Sequence, residues 1–254
     1  FRQNTNATQN GEPAMSQFSV VATEANTNIQ VQLRRNGAAF GVPLNVTLTN
    51  PGDVYQFQDS SDLSGTKIES IATGTNACKK IAVFAGSSSL AIFNSATATS
   101  CAGGQSSLDP LYQQCYPANS WGLRYGIVPF RGKDRLNFRV LARENNTTVD
   151  INGTPVVLNE GEVFTGFSHT LTNNNVRPPF IINANKPISV AQYSVTQSCD
   201  NGVGDPEMIF LNPVEQSIRD ITVFLSSKQA ITEQSINIFI KNEGTAISSF
   251  RING

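Results

Sequence analysis

The sequence predicts an all-β protein made of tandem antiparallel β-sandwich units. Three observations lead to this prediction. The apolar runs are short, rich in Val, Ile, Phe and Thr, and bounded by Gly, Asn, Asp or Pro. Helical periodicity is nearly absent, and the sequence matches itself over long stretches. Since 254 residues suffice for two cores of roughly 100 to 125 residues each, we expect two sandwich units and the opening of a third, truncated one.

The strand pattern is clear in segments spread over the whole chain, in the following order: Gln17–Ala22, Ile29–Arg34, Val54–Phe57, Lys80–Ala85, Leu136–Ala142, Thr147–Ile151, Pro155–Leu158, Ile188–Tyr193, Ile221–Leu225 and Ile236–Ile240. Thr147 to Leu158 is predicted to be a hairpin, because Asn152-Gly153 at its centre readily adopts the positive φ angles of a type I′ turn. The one helical candidate is a turn or two near Leu108–Cys115.

The internal repeat sets the predicted domain boundaries. A first copy starts at Phe18, a second at Phe138, and a third opens at Ile236 and reaches Ile252-Asn253-Gly254. Further along, Lys80–Ala85 matches Pro187–Tyr193. Each unit supplies about seven strands, enough for a sandwich. We predict units at residues 1–121 and 122–218 and a truncated unit at 219–254, with 122–135 as the hinge region.

Composition excludes several classes of function. Charged residues make up 15% of the chain, below the usual figure of about 25%, and Asn, Thr, Ser and Gln replace them. The net charge of −1 and the lack of a basic stripe argue against nucleic acid as a partner. No apolar run approaches the roughly 18 residues needed to cross a bilayer, so direct membrane insertion is not expected. We expect a segment of a longer secreted or cell-surface protein.

Four cysteines, Cys78, Cys101, Cys115 and Cys199, form an even set without the Cys-x-x-Cys pairs and histidines of a zinc site. Disulfides in an oxidising compartment are therefore expected. Three pairings exist. One joins Cys78 to Cys101 across an apparent hairpin at 87–89 and leaves Cys115 for Cys199; an alternative joins Cys101 to Cys115.

The sequence offers no catalytic residue. His169 is the single histidine, and no Gly-x-Ser-x-Gly elbow or phosphate-binding glycine loop is present. Paired carboxylates are the remaining enzymatic route, since glycoside hydrolysis needs only two acids. A cleft that holds Trp121 and two carboxylates about 5 to 10 Å apart would favour such a carbohydrate-active module.

Two further features are candidate binding sites. Asp200, Asp205 and Glu207 surround glycines in one loop, which could suit calcium without matching an EF-hand; a plain acidic turn is the alternative. No other cofactor is expected. Trp121 and Tyr125 are candidate binding or interface residues, either as an aromatic platform for sugar or as packing between the two units.

The stretch from Asp109-Pro110-Leu111 through Gln114 and Pro117 to Trp121-Gly122-Leu123-Arg124-Tyr125 resembles the signature of the IgGFc-binding protein N-terminal domain. The later half, with Ala191-Gln192-Tyr193 and Gly204-Asp205-Pro206-Glu207, resembles the version found in very long surface proteins of gliding bacteria. The resemblance implies β-sandwich repeats and type IX secretion, although no such secretion signal stands in this sequence. Gln113 and Cys115 depart from the common signature. The family brings no catalytic residues to carry over.

Together these observations predict a non-enzymatic extracellular adhesion or structural segment of a large surface protein. It would present loops to a cell-surface protein or glycan and contact other domains of the same long chain. A subunit of a self-assembling appendage or fibre, and hence a homo-oligomer, is the second hypothesis. A carbohydrate-binding or glycoside-hydrolysing module is the third.

Overall fold

A computed structural model describes residues 8–9, 12–74, 77–93, 109–133, 136–168, 178–199, 204–224, 234–240 and 242–252. The described chain is nearly all β, with antiparallel sheets in a sandwich-like arrangement, so the predicted fold class is confirmed. Among these residues, no helix is both long and apolar enough to cross a membrane. Outside the sheets, the described residues hold one short helix and three 3₁₀ turns: α1 (Ala246–Ser249), Ala118–Ser120, Gln197–Cys199 and Val214–Gln216.

The first half, residues 8–121, contains eleven described strands: β1 (Thr8–Gln9), β2 (Glu12–Pro13), β3 (Ser16–Ala22), β4 (Thr27–Gln32), β5 (Arg34–Arg35), β6 (Ala38–Ala39), β7 (Leu44–Leu48), β8 (Val54–Asp59), β9 (Lys67–Ser70), β10 (Ile81–Leu90) and β11 (Asp109–Gln114). They form a four-stranded sheet in the order β11-β10-β3-β8 and a three-stranded sheet in the order β7-β4-β9. The pairs β1-β2 and β5-β6 form two small hairpins. In β4, buried and partly exposed residues alternate strictly, as expected for a strand with one face on a core.

The second half, residues 122–218, is a single sheet of seven strands. Its strands are β12 (Gly122–Ile127), β13 (Leu136–Ala142), β14 (Thr147–Ile151), β15 (Thr154–Leu158), β16 (Val163–Ser168), β17 (Phe180–Ser194) and β18 (Glu207–Phe210). β17 is 15 residues long and pairs with four strands: β12 and β14 along its first part, and β13 and β18 along its second. Side chains from both parts of β17 enter one core.

The strand pairings of the two halves correspond. In the first half Ala22 pairs with Ile81, and in the second Ala142 pairs with Ile188. The corresponding pairs elsewhere are Thr27–Leu48 with Thr147–Leu158, Val31–Ile68 with Ile151–Ile182, and Val21–Val54 with Leu141–Val163. Residues aligned by the sequence comparison thus hold corresponding places in the register. The repeat and the domain boundaries themselves stay predictions.

Most of the predicted strands are present, and the hairpin at Asn152-Gly153 is confirmed, with φ of 51° and 87° at its two turn residues. Asn36-Gly37 turns the first half in the same way. Both asparagines occupy the left-handed region, which Asn tolerates better than most residues.

Several predictions were wrong. The helix expected near Leu108–Cys115 is strand β11 over residues 109–114, because pairing with β10 overrides the local pattern. No hairpin exists at Ser87–Ser89, which lies inside β10. Residues 122–127 of the predicted hinge region form β12, which pairs with β17 in the second half, and the role of the region as a hinge stays a prediction.

The strands expected at 221–225 and 236–240 are not formed over the described residues 221–224 and 236–240. Most of their apolar side chains stay exposed there, and no described strand pairs with them. Residues 236–240 contact β12 and Val128 after it through side chains only, since Asn237 donates to the Val128 carbonyl (3.2 Å) and Phe239 lies against Gly126. A strand also needs backbone pairing along a sheet edge, which neither segment has among the described residues.

Three clusters of buried side chains make up the core. One lies inside the first half and one inside the second. The third joins the halves, since it combines Leu90, Ile92 and Leu111 with Tyr193, Val195 and Met208. The two halves therefore share a cluster of buried apolar side chains.

Tyr125, a candidate binding or interface residue, is buried in the core of the second half, where its side chain is only 2% exposed. Its hydroxyl donates a hydrogen bond to the Ile188 carbonyl (2.7 Å) and accepts one from the Gly122 N–H (3.1 Å). Burial raises the pKa of Tyr125 to about 12, so the donating proton is retained at every physiological pH. Tyr125 fixes β12 onto β17.

We expect Tyr125→Phe to destabilise the protein by about 1 to 3 kcal/mol, because the Ile188 carbonyl and the Gly122 N–H lose a buried partner. Tyr112→Phe is the matched control, since Tyr112 is exposed and stacks on Phe84. Urea unfolding followed by circular dichroism measures both variants. Equal stability of the two would contradict a structural role for the Tyr125 hydroxyl.

Candidate functional site: the cavity at the junction of the halves

A cavity of about 850 Å³ lies where the two halves meet. Its first-half wall comes mainly from β9 and β10, including Ile68, Ile81 and Val83, and its second-half wall includes Leu141 and Ala191. A volume of this size is within the usual range for sites that hold small molecules or peptide side chains. The cavity is therefore a candidate binding site.

The segment that carries the family signature contributes to this wall. β11 pairs with β10, and its Leu111 and Gln114 line the cavity, followed by Cys115 and Tyr116. The 3₁₀ turn at 118–120 then leads to Trp121, whose indole N–H donates to the Tyr116 carbonyl (3.2 Å). The partly buried Trp121 lines the cavity, and its role as a binding or interface residue stays a prediction.

A buried ion pair crosses the junction. The Arg139 guanidinium donates to the Asp62 carboxylate (2.6 Å) and to the Ser64 hydroxyl (2.8 Å). Tyr193 shares a side-chain hydrogen bond with Arg139. Both charged side chains are 15% exposed or less. Charges so far from water are tolerated only when they are paired, so this contact fixes how the halves meet.

The pKa values reflect this pairing. Burial alone would raise the pKa of Asp62, but nearby positive charge, including Arg139, and hydrogen bonds hold it far below its usual range. Burial raises the pKa of Tyr193 to about 12. Asp62 is thus a permanent anion, whereas a general acid for glycoside hydrolysis needs a raised pKa. The acid that the cavity buries most deeply does not fit the glycosidase hypothesis.

The backbones of the halves also touch directly. Gly65 has a φ of +86°, and a Cβ at this position would lie 2.1 Å from the Gly161 carbonyl oxygen. Beside it, the Arg34 guanidinium donates to the Glu160 carbonyl (2.5 Å). Only glycine provides both the left-handed conformation and the space that this approach requires.

The structure places the other predicted site residues as follows. Asp205 and Glu207 are described and Asp200 is not, and among the described residues no cluster of three or more metal-binding side chains occurs. Burial and then the Asp205 charge raise the pKa of Asp109. Calcium binding by this loop stays a prediction, and His169 lies outside the described residues.

The predicted cysteine pairings were wrong. Cys78 and Cys115 are free thiols, whereas the buried Cys199 is disulfide-bonded. Both pairings required Cys115 to be bonded, and the first also relied on the hairpin at 87–89, which is absent. Cys101 lies outside the described residues.

Sequence reasoning missed Asp62, Arg139 and Tyr193. Arg139 stands between apolar residues in β13, a position that ordinarily faces water. The available signal was Leu141. Strand alternation places Arg139 and Leu141 on the same outward face, and an apolar residue on that face indicates packing against another part of the protein.

Removal of the Asp62 carboxylate should destabilise the protein, because Arg139 then has no negative charge beside it. We expect Asp62→Ala to lose about 3 to 5 kcal/mol of stability, because Arg139 is left as an unpaired buried charge. The exposed Glu24→Ala is the matched control. Since the pKa of Asp62 is lower folded than unfolded, its contribution is present above about pH 4 and is lost as the pH falls through the folded value. Urea titrations at neutral and acidic pH should show a smaller acid-side loss in Asp62→Ala, and the same acid-side slope in both proteins would contradict this role.

The cysteines should react in a fixed order. The exposed Cys78 should alkylate in the native protein. Burial raises the pKa of Cys115 to about 11, so it stays a protonated thiol at pH 8 and should react only on unfolding. Cys199 should react only after reduction. Mass spectrometry of alkylated peptides reads out this order, and alkylation of Cys199 without a reductant would contradict it.

Comparison with known proteins adds one finding. A family model described as "IgGFc binding protein" matches residues 3–254, nearly the whole chain. Neither the curated proteins nor the solved structures yield a match. The match includes the signature segment at the cavity and extends far beyond it. The chain is therefore a member of the IgGFc-binding family.

Proposed function

We propose that this chain is a non-enzymatic extracellular adhesion segment that presents apolar loops to a partner. The observation that carries the proposal is a difference between the halves. In the second half, β14 and β15 are joined by the two-residue turn Asn152-Gly153. In the first half, the corresponding strands β4 and β7 are joined by residues 33–43, which contain the β5-β6 hairpin.

The connection carries apolar residues that face solvent. Phe40 and Val42 are 45% and 79% exposed, and Leu44 at the start of β7 is 37% exposed. The second half closes the corresponding hairpin without Phe40 and Val42 or any counterpart of them. Exposed apolar clusters on a rigid scaffold are typical of protein interaction sites.

Arg35 and Asp59 hold the loop in place. The Arg35 guanidinium lies 3.6 Å from the centroid of the Phe40 ring and pairs with Asp59 (2.5 Å). Burial would raise the pKa of Asp59, but hydrogen bonds from Ser61 and the charge of Arg35 lower it, so the pair stays charged at neutral pH. A pre-organised aromatic residue beside a cation is a common anchor in protein interfaces.

The extracellular setting is supported by family membership, the low charge content and the disulfide at Cys199. On the same grounds we propose that the chain belongs to a large surface protein, of the kind that gliding bacteria export by type IX secretion. The partner is proposed to be a cell-surface protein or glycan. Since the family description names the Fc region of immunoglobulin G, Fc is the first protein to test.

The test is a loop variant, Phe40→Asp with Val42→Asp, measured by biolayer interferometry. Immobilised Fc, fibronectin, collagen and a panel of glycans serve as probes. The wild-type chain should bind at least one of them, and the variant should bind it roughly tenfold or more weakly, because its apolar anchors are charged.

Val157→Asp is the matched control, since Val157 is 62% exposed on the short hairpin of the second half. It should bind like the wild type. If the loop variant and the control bind equally well, or if no probe binds the wild type, loop-mediated adhesion is the wrong function.

A further inference from the structure

The second half contains a strand that has no described counterpart in the first. β12 runs antiparallel to the start of β17, with Tyr125 opposite Ile182 and Gly122 opposite Ile188. Tyr125 and Ile127 from this strand are 2% exposed or less and belong to the core of the half. β12 therefore seals the core on this side.

The corresponding edge of the first half is open among the described residues. By the matched pairings, Ile68 of β9 corresponds to Ile182, and Ile81 of β10 corresponds to Ile188. β9 pairs only with β4, and its other edge has no described neighbour. Ile68 and Ile81 are only partly buried, whereas Ile182 and Ile188 are fully buried.

The cavity lies along this edge. All the residues that would face a counterpart of β12 line it: Thr66, Lys67, Ile68, Glu69 and Ile81. In the second half, β12 occupies the corresponding position beside β17.

We propose that this edge of the cavity is an acceptor slot for an extended strand, and that residues 218–224 of a second copy of the chain fill it. The strand would run antiparallel to β9 and bury alternate side chains beside Ile68 and Ile81. Addition of a strand to an open sheet edge is a common mode of protein recognition, in which the backbone supplies hydrogen bonds and alternate side chains fill pockets.

The position of the donor segment in the fold supports this choice. β12 follows a 3₁₀ turn that Pro117 precedes, and residues 218–224 follow the 3₁₀ turn Val214–Gln216 that Pro213 precedes. With the two turns aligned, Ile218, Ile221 and Val223 fall at the positions of Gly122, Tyr125 and Ile127.

The donor side chains are available. Ile218, Ile221 and Val223 are 64%, 66% and 43% exposed, and the last two belong to the strand that the sequence predicts at 221–225. Among the described residues, the chain therefore has an apolar segment outside any sheet, and a sheet edge without a neighbouring strand beside a cavity. Each would bury the apolar surface that the other leaves exposed.

The first seven residues of the chain suit the slot less well. In the alignment of Phe18 with Phe138, Thr5 and Ala7 fall at the positions of Tyr125 and Ile127. These side chains are too small or too polar to fill a space that accommodates tyrosine and isoleucine. Occupation by this segment is the rival outcome of the tests below.

Donor and acceptor are different surfaces, and each copy carries one of each. Reciprocal exchange of donors gives a closed dimer, and one-way donation from copy to copy gives a ring or an open filament. The inference goes beyond adhesion through the loop, and it concerns different residues. The loop variants can therefore fail or succeed independently of it.

The first test uses a fluorescent peptide of residues 216–224 and the full chain. Fluorescence anisotropy should show saturable binding. A peptide with Ile221→Asp and Val223→Asp should bind roughly tenfold or more weakly, because both buried positions would be charged. Equal binding of the two peptides would overturn the proposal.

The second test follows self-association of the full chain by analytical ultracentrifugation over a range of concentrations. The wild type should self-associate as its concentration rises, and the chain with Ile221→Asp and Val223→Asp should remain monomeric. The matched control carries the same two charges at Val157 and Ile247, which are 62% and 58% exposed and lie outside donor and acceptor. A monomeric wild type, or a donor variant that still associates, would overturn the proposal.

The third test fixes the register. Gly126 pairs with Ile181 in the second half, so Thr222 should lie opposite Lys67 of another copy. In a Cys78→Ser background, a Thr222→Cys chain mixed with a Lys67→Cys chain should form a disulfide-linked dimer under mild oxidation. A Lys80→Cys chain is the control, since Lys80 is exposed and outside the cavity lining. Equal cross-linking by both acceptors would overturn the proposal. The peptide test is also repeated on a chain without residues 1–7, and binding that arises only in that chain would overturn the proposal in favour of the first seven residues as the occupant.

Discussion

A strand inside a sheet forms backbone hydrogen bonds along both of its edges, and this constraint organises the second half around its central strand, β17. The strand is long enough for its first part to pair with β12 and β14 and its second part with β13 and β18. Both parts of β17 contribute side chains to one core, and no loop interrupts the strand between them. The Tyr125 hydroxyl donates to the carbonyl of Ile188, the residue at which the two parts of β17 meet.

The first half meets the same requirement with separate strands. β9 and β10 take the places of the two parts of β17, with residues 71–80 between them. This interruption allows β9 to belong to one sheet and β10 to the other. The cavity and the junction with the second half both occur on this side. Apolar packing at Leu90, Ile92 and Met208 and the ion pair of Arg139 with Asp62 then hold the halves together.

The sequence could predict what depends on local pattern. Strand alternation predicted most strands, Asn152-Gly153 predicted the hairpin, and self-comparison aligned residues that hold equivalent positions in the registers of the two halves. The sequence could not predict features that depend on a neighbour. Residues 109–114 form a strand because β10 offers them a sheet edge, and 236–240 has the pattern of a strand but pairs with none among the described residues. For the candidate site, Trp121 was identified from its aromatic ring, whereas Arg139 was invisible because its environment comes from the other half.

The close approach of Gly65 to Gly161 sets a limit on how this family member can change. A Cβ at Gly65 would meet the Gly161 main chain, which cannot move aside as a flexible side chain can, so a larger residue there would force the halves apart. A Cβ at Gly161 would instead meet the Arg34 side chain and displace it from the Glu160 carbonyl. Since both glycines line the cavity, variation at position 65 in related chains would change the width of the cavity without altering any residue of its far wall.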